Sequence, residues 1–167
     1  MPVALAVRDR GRRLAFTFED LMRFHGPASP GGVAHAFKVL ERALPLLDPD
    51  APAERREIVV RTAFGGPGAR DGFELVTRAV TEGRYTVDPA LARPERGRTL
   101  ERFVFQLSYR ERAVTLIARA GSVPDELIAL VRTEDPTDEQ VARLAVVKRE
   151  MAERVMACAA ADVYDEG

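Results

Sequence analysis

Residues 100–119 read Leu100-Glu101-Arg102-Phe103-Val104-Phe105-Gln106-Leu107-Ser108-Tyr109-Arg110-Glu111-Arg112-Ala113-Val114-Thr115-Leu116-Ile117-Ala118-Arg119. Phe103, Phe105 and Leu107 alternate with Arg102, Val104, Gln106 and Ser108, and Val114, Leu116 and Ala118 resume the same period after the turn. Successive side chains of a strand point to opposite faces, so the pattern predicts a hairpin over Leu100–Arg110 and Ala113–Arg119 with one buried face. The strongest signal outside it is a helix from Gly32 to Leu47. There Val33, Phe37, Leu40, Leu44 and Leu47 recur at three and four residues and form one apolar stripe. A hairpin beside such a helix predicts a single α+β domain: an antiparallel sheet packed against a long central helix, with helices at the C-terminal end.

The remaining signals fit around that pair. Residues 1–13 carry two apolar patches about the charged Arg8–Arg13 stretch and read as an N-terminal arm or short strand, the domain proper occupying 14–167. Thr17 and Asp20 form a capping box for a helix over Phe18–Phe24, which Gly26 ends. Asp48-Pro49-Asp50-Ala51-Pro52 is a loop, Glu57–Phe64 a strand, Asp71–Glu82 a helix after Gly65-Gly66-Pro67-Gly68, and Arg84–Val87 a short strand. Pro89–Gly97 reads as an exposed loop. Ser122 is the expected cap of a helix reaching Arg132, and Thr137 with Gln140 boxes a long helix reaching about Ala161, with Cys158 on its apolar face as a small buried hydrophobe.

Composition narrows the function classes. The 167 residues, 46% hydrophobic, suffice for one domain burying about 70% of its unfolded surface. Net charge is −1, so no global attraction to nucleic acid or an anionic membrane is expected. Of 25 basic residues only Lys38 and Lys148 are lysine. One cysteine excludes an internal disulfide and a cysteine-rich zinc module. The first seven residues are too short for a signal-peptide core, and no run nears the roughly 18–20 apolar residues that span a bilayer. A soluble, cytoplasmic protein is the expectation.

The segment His25-Gly26-Pro27-Ala28-Ser29-Pro30-Gly31 resembles the His-Gly-His-x-Cys-Pro-Gly motif that opens the FmdE-like family of formylmethanofuran dehydrogenase components. Gly32-Val33-Ala34-His35-Ala36-Phe37-Lys38 is similar to that family's Gly-x-Ala-x-Gly-Tyr-Arg, with one inserted glycine. Asp71-Gly72-Phe73-Glu74-Leu75-Val76-Thr77-Arg78-Ala79 resembles its Asp-Ala-Ile-Gln-x-x-Thr-Gly-Cys, and the likeness extends in order over residues 14–164. The resemblance implies the family fold and its cleft. It also implies a metal held through positions that are Pro27, Ser29 and Ala79 here, none of which offers zinc a good donor. The expectation is therefore no metal and no cofactor.

Individual residues admit two readings each. His25 is either a helix C-terminal cap or an acid, base or ligand contact in the cleft, and Ser29 beside it invites a Ser–His pair. These two are the catalytic candidates. Lys38 and Arg70 could hold an anion, Arg70 together with backbone N–H groups of the Gly65–Gly68 turn. The same turn lacks the spacing of a P-loop or dinucleotide fold. Asp71, Glu74 and Thr77 would line the family cleft, although Glu74 and Arg78 also suit an i,i+4 pair. His35 falls off the apolar stripe and reads as a surface or flank histidine.

Three functions stay open at this level. One is a domain that reuses the cleft for a small-molecule ligand or substrate without metal. Another is an accessory or assembly protein. The third is a divergent metal binder using His25 plus carboxylates. Whether the chain is an enzyme is not decided by these residues. The long last helix predicts a homodimer, because its apolar stripe is longer than the core of one copy would cover.

Overall fold

Helix α2 (Pro30–Leu47) is the element on which most others rest, in a computed structural model that describes residues 2–167. It starts two residues before the predicted Gly32, because Pro30 brings a helical φ to the first position and has no N–H to leave unpaired. Its stripe is buried from Val33 to Leu47 against α3 (Pro67–Thr77) and α5 (Asp138–Ala157) on its flanks, and against the sheet. Helix α1 (Phe18–His25) carries the expected capping box: Thr17 Oγ1 accepts from the Asp20 N–H at 3.2 Å, and Asp20 Oδ2 accepts from the Thr17 N–H at 2.8 Å. Gly26, at φ 89°, ends it.

The sheet has five strands in the order β4 (Tyr85–Val87), β3 (Ile58–Thr62), β5 (Val104–Tyr109), β6 (Arg112–Ala118) and β7 (Tyr164–Glu166). The predicted hairpin is β5–β6, paired from Val104↔Ile117 to Tyr109↔Arg112. The sheet is not antiparallel throughout: β3 and β4 run parallel, with α3 as the crossover that a parallel pair requires. Strands β1 (Ala4–Asp9) and β2 (Arg12–Thr17) form a separate hairpin, turned by Arg10 and Gly11 at φ 52° and 83°. Leu5 and Val7 of β1 are buried, and Arg8 N–H donates to Ala53 O at 2.8 Å, so this hairpin joins the core.

Several boundaries move. Helix α3 spans Pro67–Thr77 rather than 71–82, since Pro67 starts it and Arg78 closes it in the left-handed region at φ 60°. Helix α4 (Asp125–Val131) is capped at Pro124, and Ser122 instead donates its hydroxyl to Arg119 O at 2.5 Å. Helix α5 has its Thr137–Gln140 box but stops at Ala157, where Cys158 is extended and exposed rather than buried. The chain breaks there into the single turn α6 (Ala160–Val163) and β7, which carries Tyr164 into the core.

His35 is the largest departure from the sequence reading. It is fully buried, with Nδ1 2.7 Å from Tyr164 Oη and Nε2 3.3 Å from Ser122 O. A carbonyl only accepts, so Nε2 carries the proton and the Tyr164 hydroxyl donates to Nδ1. Burial lowers the imidazole pKa from 6.5 to about 4 and pushes the Tyr164 phenol well above its ordinary value. The imidazole is thus a neutral core group, packed 5.1 Å from the Phe103 ring.

Candidate functional site

Helices α2 and α3 meet at their N-terminal ends because glycine permits it. A Cβ on Gly68 would lie 2.5 Å from Ser29 O and 3.0 Å from Val33 N, and one on Gly72 would lie 2.8 Å from Ala36 Cβ. The two helix starts form one wall of a cavity of about 450 Å³. Its floor is apolar: Phe64 and Phe103 stack with centroids 4.4 Å apart, and Met151, Leu127 and Ile128 complete it from α5 and α4. Its rim carries Arg98, Arg102, Arg132 and Lys148, with no Asp or Glu among the lining residues. Arg132 reaches Glu101 at 3.2 Å, and Lys148 Nζ lies 3.4 Å from Ala28 O and 3.5 Å from Ser29 Oγ.

A second feature joins α1 to α3. His25 Nδ1 lies 2.8 Å from Asp71 Oδ2, its side chain almost wholly buried. The carboxylate accepts from Nδ1–H and fixes the orientation of the ring. Nε2, however, is enclosed and has no hydrogen-bond partner among the described residues. His25 does not cap α1 with its ring: Gly26 N–H closes the helix onto Met22 O at 2.7 Å.

The sequence candidates divide between these two places and the framework. Ser29 lines the cavity and is not bonded to His25, so no Ser–His pair forms. Asp71 serves His25. Lys38 is buried, with Nζ 2.8 Å from Glu41 Oε1, and so is already paired. Arg70 is exposed, lies outside the cavity lining, and bears its charge on Tyr85. Glu74 Oε2 accepts from the N–H and hydroxyl of Thr81, both at 2.7 Å, and Oε1 lies 3.5 Å from Arg78 Nε. Thr77 donates to Phe73 O at 2.6 Å and accepts from Ala79 N–H at 3.1 Å. Both residues shape the end of α3 instead of lining a shared cleft. Sequence reasoning overlooked Arg98, Arg102 and Arg132, which come from a loop and the end of α4 and carry no motif.

The metal that the family resemblance implies does not fit these residues. Pro27 is exposed, Ala79 is buried, and neither has a donor atom, while Ser29 offers a neutral hydroxyl. Among the described residues no group of three His, Cys, Asp or Glu is placed to hold an ion. No family model matches the chain, and no curated protein matches it. Among the described residues no helix is long and apolar enough to cross a membrane.

Proposed function

We propose that this chain is a small-molecule-binding domain, related in fold to the FmdE-like family, that holds its ligand without the family's metal. The observation that carries the reading is the cavity of about 450 Å³ between the starts of α2 and α3 and the packed α4–α5 pair. Its size falls in the range of small-ligand sites, and an apolar floor with convergent polar groups is the usual make-up of such sites. A cytoplasmic setting and a homodimer belong to the same proposal. The dimer rests on the long helix α5, whose Val141 stays exposed.

The test is a fragment titration followed by amide and methyl chemical shifts. Ligands should shift Gly65–Gly68, Leu127 and Ile128 together, and Val131→Trp at the mouth should weaken them. Shifts scattered over the surface, or indifferent to Val131→Trp, would refute the cavity as the site.

A further inference from the structure

We infer that the ligand of this cavity is an amphipathic anion, a carboxylate or phosphate ester carrying an aromatic or other apolar body. The inference rests on the binding reading above and adds the chemical class. Elsewhere on the molecule some arginines meet carboxylates, as Arg56 does Asp9 and Glu82, Arg61 does Asp88 and Arg143 does Glu126, and others, Arg12 and Arg13 among them, stand singly on the surface. What sets the cavity apart is that its cations converge on one opening with no carboxylate among the lining residues. Arg98 and Arg102 have no ion-pair partner among the described residues, Lys148 has only long contacts to neutral oxygens, and Arg132 alone shares a carboxylate.

Four cations thus surround one opening in a chain whose net charge is −1. The helix ends sharpen the contrast. Helices α1, α4 and α5 each carry two acidic residues in the first turn, whereas α2 and α3, which open on the cavity, have none there and no side-chain cap. Their positive ends add to the rim's potential. An anionic head at the rim relieves that mutual repulsion, and the stacked Phe64–Phe103 floor receives an apolar body. A neutral apolar ligand would gain the floor and leave the charges unanswered.

The full chain should be titrated by calorimetry with 4-phenylbutyrate, 4-phenylbutyl phosphate and neutral 4-phenylbutanol, at low and at high salt. Both anions are expected to bind about tenfold more tightly than the alcohol, with the preference shrinking as salt rises. Arg98→Gln combined with Arg102→Gln should weaken the anions about fivefold or more and leave the alcohol unchanged. Both residues are exposed, and an unchanged urea midpoint will show that the variant is folded. Preference for only one of the two anions would assign the head group. Equal binding of all three, unaffected by the double substitution, would overturn the anion inference while leaving the cavity as a binding site. Absence of binding by all three would overturn both.

Discussion

His35 holds its neutral state at a thermodynamic penalty that grows as pH falls. The unfolded chain protonates this imidazole below about 6.5, whereas the folded protein does so only near 4. The unfolded state therefore binds more protons in that interval, and stability is complete above pH 6.5 and declines towards pH 4, by about 3 kcal/mol in total. Urea unfolding should show a loss of about 2 kcal/mol between pH 7 and pH 5 that shrinks in His35→Gln. The carboxyls of Asp20 and Asp48, lowered chiefly by backbone N–H donors, protonate below that window and do not obscure it. A wild-type profile flat from pH 7 to 5 would refute the buried neutral ring. The positions Pro27, Ser29 and Ala79 make a second residue-scale statement. A chelator should leave the melting temperature unchanged, because losing a structural zinc would remove on the order of 10 kcal/mol. A chelator-induced drop of several degrees would show a metal held by other residues. At this scale the sequence was legible where partners are neighbours, as at Thr17 with Asp20 and Thr137 with Gln140. His35 was not, since its partner Tyr164 lies 129 positions away.

Among the elements, the contact of α2 with α3 is the one whose failure would be most visible. A methyl group at Gly68 meets the backbone oxygen of Ser29 at 2.5 Å, and a carbonyl cannot rotate aside as a side chain can. Gly68→Ala should lower stability by about 1–3 kcal/mol despite alanine's better helix propensity. Gly65→Ala, whose added Cβ meets only Val87 at 4.0 Å, should stay within about 0.5 kcal/mol. Equal urea midpoints for the two variants would contradict the close approach. The existence of α1, α2, α5, β3 and the β5–β6 hairpin was readable from period and caps. The true span of α3 was not: its start depends on Pro67 as a first helical residue, and its end on a left-handed arginine, Arg78, paired with Glu74. Neither leaves a glycine signal at the point where the helix stops. Strand β7 was missed because three residues, Tyr164–Glu166, have no period to read.

For the whole molecule, light scattering should report twice the 18.4 kDa chain mass at micromolar concentration, and Val141→Glu should return it to one. A monomer for the unmodified protein would remove the dimer. The support is narrower than the sequence suggested, since Val147, Met151 and Val155 are already buried within a single copy of the chain. The cavity was the least legible feature at this scale. Its cations lie at 98, 102, 132 and 148, and only the folded arrangement of α4, α5 and the loop before β5 brings them to one mouth.

The bond between His35 and Tyr164 also sets an order of events during synthesis. A ribosome releases His35 long before it releases its partner, and β7 has to clear the exit tunnel before the sheet's last edge is paired. Until then the pocket that Tyr164 will fill between His35 and Phe105 stands open, an apolar groove available to chaperones. The nascent chain can form its helices early, but it locks its core only once β7 has emerged.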